Sequence, residues 1–110
     1  MVEKLIDAMK AEDWAAAADC FADGRDVRYS DYCPSRVGLD DRFIWGHNAV
    51  ELYFRDKFYN RTFFILEERI EDEKNATFFG CYSGKYCYCK LTVEETDGNG
   101  KIIRAAVRPA

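Results

Sequence analysis

The sequence is poor in histidine and proline, and it has no long apolar run. Its 110 residues include one histidine and two prolines. A single histidine excludes the paired-histidine motifs of zinc hydrolases. No stretch approaches the roughly 20 apolar residues that a membrane span needs, and the charged start at residues 1–7 lacks the apolar core of a signal peptide. We therefore expect a cytoplasmic protein that does not act at a membrane.

The sequence also lacks a basic excess. Its 16 Lys and Arg residues face 20 Asp and Glu residues, for a net charge of −4, and no basic block stands out. This balance disfavours binding to nucleic acid. With neither a glycine-rich phosphate loop nor a nucleophile elbow, no cofactor is expected. Of the residues, 48% are hydrophobic and 15% are aromatic. This composition suits a single domain spanning residues 1–110 with one core and one pocket.

The chain contains five cysteines, which are Cys20, Cys33, Cys81, Cys87 and Cys89. In a reducing compartment thiols stay free and usually pack as small apolar side chains. Cys87 and Cys89, two apart in a strand-like run, would project from one sheet face and could form a thiolate metal site with Cys81. Such a site lacks the second ligand pair of a zinc site. Core packing is therefore the favoured interpretation, and no metal is expected.

The first third of the chain predicts two helices and a strand. Apolar residues at helical spacing predict a first helix that ends near residues 10–11. Asp13 is the expected N-cap of a second helix, which closes at residues 22–23 before Gly24. Alternation over residues 26–33 then predicts a strand that Pro34 ends. One face of this strand carries Val27, Tyr29, Asp31 and Cys33.

The remaining two thirds predict a helix and a sheet. A short strand at residues 43–45 precedes a third helix, which begins at residues 46–48 and carries the aromatic face Val50, Tyr53, Phe54 and Phe58. Four antiparallel strands follow at residues 62–70, 76–82, 86–95 and 101–108, joined by turns rich in glycine and asparagine. The order predicts an α+β domain with one curved sheet wrapped on the helices.

Three segments carry a resemblance to a known family. They are Ala11-Glu12-Asp13-Trp14 leading to Phe21-Ala22-Asp23, Gly46-His47-Asn48-Ala49-Val50, and the turn and strand from Asp97 to Ile103. In this order the chain resembles the nuclear-transport-factor-2-like superfamily and, within it, the SnoaL-like group. The resemblance covers essentially the whole chain. It implies a cystatin-like, cone-shaped barrel whose curved antiparallel sheet surrounds the long third helix and an apolar cavity. Relatives include ketosteroid isomerase, polyketide cyclases and non-catalytic dimerisation modules, so the fold does not determine the function.

Asp31 is the first candidate catalytic residue. A carboxylate on an otherwise apolar strand face would point into the cavity, where burial raises its pKa towards a value suited to a general base. In ketosteroid isomerase the base is an Asp on this strand close before a proline, and Asp31 stands three residues before Pro34. Alternatively, Asp31 caps a turn or pairs with Arg36 or Arg42.

The oxyanion-binding acids of ketosteroid isomerase have no counterpart in the sequence. The matching positions appear at Leu5 and at Leu91 and Thr92, which cannot donate as that mechanism requires. Steroid isomerisation is therefore not expected. His47 is the second catalytic candidate and would need an orienting carboxylate, for which Asp31, Asp40 and Asp41 are candidates. A surface position at the start of the third helix is the favoured interpretation.

Aromatic residues supply the candidate ligand-binding surface. Most must pack the core, and the expected pocket-lining residues are Tyr29, Trp45, Phe54, Phe58 and Trp14. The tyrosines Tyr82, Tyr86 and Tyr88 are expected on the outer sheet face, where they would support a homodimer. The alternative is a plain solvated sheet face. Three hypotheses remain open: a pocket for a small aromatic, polyketide-like or steroid-like molecule, a cofactor-free lyase or isomerase with Asp31 as base, and a non-catalytic dimeric interaction module.

Overall fold

The computed structural model describes all 110 residues. The helices are α1 (Val2–Lys10), α2 (Trp14–Asp19) and α3 (His47–Tyr59). The strands are β1 (Arg28–Asp31), β2 (Arg42–Trp45), β3 (Phe63–Ile70), β4 (Asn75–Tyr82), β5 (Lys85–Thr96) and β6 (Ile102–Pro109). A single 3-10 helix, Pro34–Val37, follows β1. None of the helices has the length and apolar character that crossing a membrane would require.

The strands form one six-stranded sheet in the order β2-β1-β6-β5-β4-β3. Every neighbouring pair is antiparallel except β1 and β6, which run parallel. The register shifts between Leu66 and Arg69 in β3 and between Val93 and Glu95 in β5. Bulges of this kind bend a strand and increase its twist, so the sheet curves. The structure confirms the predicted α+β architecture, in which the N-terminal helices and α3 accompany a mostly antiparallel curved sheet.

The helix α2 is shorter than the sequence predicts. Its N-cap is Asp13, as expected, whose carboxylate accepts a hydrogen bond from the Ala16 amide at 3.0 Å. The predicted end at residues 22–23 is wrong, because the helix ends at Asp19. Phe21 instead forms an isolated parallel bridge with Ile102. Hydrogen bonds to the last strand therefore replace the final helical turn.

The space between α3 and the sheet is filled by aromatic rings. Phe54 lies at the centre, with ring centroids of Tyr29, Tyr53, Phe58 and Phe21 between 5.1 and 6.3 Å away. All five side chains are buried. The aromatic face predicted for the third helix therefore forms the centre of the core.

Tyr82 lies inside the sheet, which corrects the prediction that it shares the outer face with Tyr86 and Tyr88. Only 4% of Tyr82 is exposed, whereas 56% of Tyr86 is exposed. Directly paired residues of an antiparallel ladder lie on the same face. Tyr82 pairs with Lys85 across a two-residue turn at Ser83 and Gly84, so Tyr86, one residue further, points to the opposite face.

A candidate ligand pocket and a buried thiol cluster

A cavity of about 190 Å³ opens between α3, the start of β3, the end of β4 and the segment that joins β1 to β2. Its lining combines apolar and polar side chains, which are Pro34, Leu39, Asp40, Arg42, Tyr53, Lys57, Thr62, Phe63, Tyr82 and Ser83. A larger groove of about 450 Å³ runs between α1, α2 and the β5–β6 turn. That groove has no aromatic lining, and its Lys101 already pairs with Asp19 at 3.4 Å. The smaller cavity is therefore the candidate site.

Tyr82 links the cavity to Asp31 behind it. Its hydroxyl donates a hydrogen bond to Asp31 Oδ2 at 2.6 Å, and the Cys33 amide donates to Asp31 Oδ1 at 3.0 Å. Asp31 is fully buried. Burial raises the pKa of Asp31 to about 6, although the hydrogen bonds from Tyr82 and Cys33 oppose the shift. Asp31 does not line the cavity, so it can influence a ligand only through Tyr82.

Asp31 takes the predicted alternative of a turn cap, and its buried side chain does not line the cavity. Its side chain points inside, as the strand alternation predicts, and it also accepts from the amide two residues ahead, as a turn-capping Asp does. It forms no ion pair with Arg36 or Arg42. The carboxylate therefore has a neutral hydrogen-bonding partner and no counter-ion.

Gly80 creates the space that lets Tyr82 reach Asp31. A Cβ atom at Gly80 would lie 2.8 Å from Cε2 of the Tyr82 ring and 3.2 Å from Cys89 Sγ. Real Cβ atoms essentially never approach another heavy atom as closely as the first of these distances. The Tyr82 ring therefore folds back over Gly80, within the face of the sheet that points to the core.

Two cationic side chains lie near the Tyr53 ring at the cavity. The Arg42 guanidinium carbon is 5.6 Å from the centroid of the Tyr53 ring, and Lys57 Nζ is 5.8 Å from it. Neither cation is within 4.0 Å of a carboxylate. Burial, followed by the charge of Asp31, raises the pKa of Tyr53, so its hydroxyl keeps its proton. The cavity therefore has two unpaired positive charges around a neutral phenol.

Thr62 adds a polar atom that has no partner in the protein. It lines the cavity, and its Oγ1 atom is buried without a hydrogen bond. Buried hydroxyl groups nearly always have a partner, because leaving one unpaired costs about 1–3 kcal/mol. The hydrogen-bonding capacity of this hydroxyl is therefore unused within the protein, at a residue that lines the cavity.

His47 lies away from this cavity. Its Nδ1 is 3.0 Å from the Ala22 carbonyl oxygen, and its ring nitrogens lie 3.9 Å from Asp23 and 4.0 Å from Glu51. These contacts hold the start of α3 against the segment that follows α2. The structure does not bring His47 and Asp31 together.

The aromatic residues expected to bind a ligand lie elsewhere. Tyr29, Phe54 and Phe58 are in the closed core. Trp45 is 57% exposed, and the Arg28 guanidinium carbon sits 3.8 Å from its ring centroid on the outer side. Trp14 packs at the edge of the core, beside Arg55. The aromatic rings that do line the cavity are Tyr53, Phe63 and Tyr82.

Three cysteines meet beside the Tyr82 and Asp31 pair. The Sγ atoms of Cys33, Cys87 and Cys89 all lie within 4.8 Å of one another, and we call this group the thiol cluster. Cys33 and Cys89 are buried, and Cys87 is half-buried. Cys81, which the sequence placed with Cys87 and Cys89, pairs with Tyr86 and therefore faces the other side of the sheet. All five cysteines are free thiols.

Comparison with known proteins identifies the fold. No protein-family model matches the chain, and no curated protein sequence matches it either. Among solved structures, a SnoaL-like protein of unknown function from Burkholderia thailandensis has 16% sequence identity and a TM-score of 0.65, with 99% of this chain and 91% of that chain covered. An NTF2-like protein of unknown function from Burkholderia xenovorans has 17% identity and a TM-score of 0.63, with 99% and 79% covered.

A third similar structure is a proposed isomerase from Bacillus subtilis. It has 16% identity and a TM-score of 0.63, with 96% of this chain and 81% of that chain covered. The chain therefore has the NTF2-like fold that the sequence resemblance implies. Because this fold carries different activities, the function has to be inferred from the cavity.

Proposed function

We propose that the protein binds a small organic anion with a planar apolar part in the cavity beside Tyr53. The observation that carries this proposal is the pair of cations, Arg42 and Lys57, that lie near the Tyr53 ring without an acidic partner. A guanidinium and an ammonium group near a partly desolvated surface bind a carboxylate strongly, since hydrogen bonds between charged groups are about twice as strong as neutral ones. Asp40 is the only acid in the lining, so positive charge is in excess.

The size of the cavity narrows the ligand class. Its volume of about 190 Å³ falls below the roughly 300–1,000 Å³ of pockets for drug-sized ligands. A single-ring carboxylate suits this volume better than a steroid-like or polyketide-like molecule. The rings of Tyr53 and Phe63 offer apolar contact to the planar part, and the hydroxyl of Thr62 offers a further hydrogen bond.

Calorimetric titration with benzoate and with its neutral analogue benzamide tests the proposal. Benzoate should bind more tightly than benzamide. Arg42→Gln and Lys57→Gln should each weaken benzoate binding by about tenfold, which corresponds to roughly 1.4 kcal/mol. Arg55→Gln is the matched control, because Arg55 lies on the same helix but outside the cavity lining. Equal affinities for the two compounds, or equal losses in all three variants, would rule the anion site out.

Proton transfer is a second candidate function, favoured by the 2.6 Å hydrogen bond between Tyr82 and the buried Asp31. Tyr82 is the member that touches the cavity, and Asp31 behind it is the proton acceptor of the pair. The similarity to the proposed Bacillus subtilis isomerase supports this function at the level of fold. The Tyr82 oxygen takes a proton from a carbon next to a carbonyl group of the bound anion while its own proton passes to Asp31, and the reverse transfers return a proton to the carbon.

Phenylpyruvate, a compact aromatic anion with an acidic carbon, is the probe for proton transfer. Nuclear magnetic resonance in D₂O would follow the replacement of its carbon-bound hydrogens by deuterium. The protein should accelerate this exchange, and Tyr82→Phe and Asp31→Asn should abolish the acceleration while calorimetry still detects binding. Tyr88→Phe, on the outer face, is the control. An exchange rate equal to that without protein would leave binding as the only function of the cavity.

A further inference from the structure

We propose that the thiol cluster of Cys33, Cys87 and Cys89 is a binding site for one thiophilic d¹⁰ metal ion, of the class of Zn²⁺, Cd²⁺ and Cu⁺. Thiolate sulfurs are soft ligands that select this class of ion over Mg²⁺ or Ca²⁺. None of the three cysteines lines the cavity that the proposed function uses. The proposed metal ligands are therefore different side chains from those that line the anion site.

The spacing of the sulfur atoms fits a metal site after a small adjustment. The three Sγ atoms lie within 4.8 Å of one another. In a tetrahedral thiolate site with metal–sulfur distances near 2.3 Å, the sulfur atoms lie about 3.8 Å apart. Closing the difference takes rotation of cysteine side chains and no change of strand pairing. Cys87 and Cys89 project from the same face of β5. Cys89 pairs with Phe78 of β4 and with Pro109 of β6, whereas Cys87 pairs with Gly80 of β4.

The third ligand, Cys33, comes from a part of the chain distant from Cys87 and Cys89. The cluster is therefore more than a pair of neighbouring cysteines on one strand. Cys33 follows β1 and immediately precedes Pro34, and the Asp31 side chain fixes its amide at 3.0 Å. Cys33 is fully buried at this point. The hydrogen bond to Asp31 and the ring of Pro34 restrict the backbone at Cys33. They therefore position the Cys33 thiol in the absence of an ion.

Oxygen atoms lie next to the three sulfurs. The Tyr82 hydroxyl is 3.8 Å from Cys89 Sγ and donates to Asp31. Zinc sites commonly combine three protein ligands with an oxygen in the fourth position. The Asp31 carboxylate has no cationic partner within 4.0 Å, so a metal ion at the cluster would supply the positive charge that this part of the core lacks.

Cys87 is the most exposed member of the cluster. It is half-buried, whereas Cys33 and Cys89 are buried. Gly80 pairs with Cys87 in the sheet, and a Cβ atom there would lie 3.2 Å from Cys89 Sγ, so a larger residue would crowd the cluster. Packing of thiols as small apolar groups accounts for their burial. It does not by itself bring three of them together.

Metal titration of the reduced protein tests the proposal. Cd²⁺ should bind one ion per chain and produce the near-ultraviolet absorbance of thiolate coordination, and Zn²⁺ should compete for the same site. Cys33→Ser and Cys89→Ser should each weaken Zn²⁺ binding by more than about 100-fold, measured against a chromophoric chelator, because even changes outside the ligand set cost 10–100-fold. Cys81→Ser and Cys20→Ser are the matched controls and should bind as the original chain does.

Cadmium magnetic resonance on the unaltered chain provides a measurement that needs no variant, since its chemical shift reports the number of coordinated sulfurs. A shift characteristic of three sulfurs supports the site. Loss of Zn²⁺ affinity in the control variants, a shift for one sulfur or none, or no competition with the chelator would each overturn it. Benzoate binding should be the same with and without Zn²⁺, so failure of one proposal is distinguishable from failure of the other.

Discussion

At the scale of single residues, Tyr82 and Gly80 show how one missing Cβ atom shapes the interior. Tyr82 reaches Asp31 only because its ring lies over Gly80. The sequence predicts the inward direction of Asp31, since alternation along one strand is a local property. The sequence does not predict that Tyr82 is the hydrogen-bond partner of Asp31. The side on which Tyr82 lies depends on whether the turn before β5 contains two or three residues, and a difference of one residue reverses every side chain.

Gly80→Ala is predicted to destabilise the protein by about 1–3 kcal/mol, the usual cost of overpacking a core. The backbone of Gly80 is not in the left-handed region, so the cost arises from the contact with the Tyr82 ring at 2.8 Å. Urea unfolding measures the change. Gly98→Ala is the matched control, because a Cβ there meets nothing within 4 Å and its φ is also not positive. Equal stabilities of the two variants would contradict this account of Tyr82.

At the scale of elements, helical and strand periodicity predicted most of the architecture because it records which face of each element is buried. The aromatic face of α3 and the meander β3–β6 follow from local spacing and turn residues. The early end of α2 does not follow from local spacing, because it depends on the pairing of Phe21 with Ile102. Which side of β2 is exposed also depends on a non-local pairing. Ile44 lies on the inner face with its partner Tyr29, so the next residue, Trp45, points outward.

Phe54→Ala in α3 is predicted to lower the free energy of unfolding by about 3–5 kcal/mol, as expected for a large ring removed from a packed core. Phe54 is fully buried and contacts four other aromatic rings. Leu52→Ala, on the same helix but 61% exposed, should change stability by less than about 0.5 kcal/mol. Chemical denaturation of both variants provides the measurement. Similar losses in both would mean that the ring cluster does not stabilise the fold as described.

At the scale of the whole molecule, the outer face of the sheet is the expected contact between two copies of the chain. The ring centroids of Phe79 and Tyr88 lie 4.9 Å apart there, and the two residues are 37% and 45% exposed. Tyr86 is exposed on the same face. Aromatic residues are enriched in protein interfaces. We predict a homodimer in sedimentation equilibrium experiments and dissociation to monomers in Tyr88→Lys, because a buried charge would oppose association.

Phe43→Lys is the control for the dimer, since Phe43 is also exposed but lies on the edge strand β2, four strands away from β4. This variant should retain the mass of the original chain in solution. A monomer at about 100 μM, well above the micromolar dissociation constants of weak specific complexes, would show that the outer face does not pair with itself.

The parallel pairing of β1 with β6 joins segments that are far apart along the chain. One of the two sheet neighbours of β1 is the strand that ends at Pro109, and Asp31 pairs there with Val107. Pairings between such distant segments are slow to form during folding. Asp31, and Cys33 two residues after it, therefore reach their final positions late in folding.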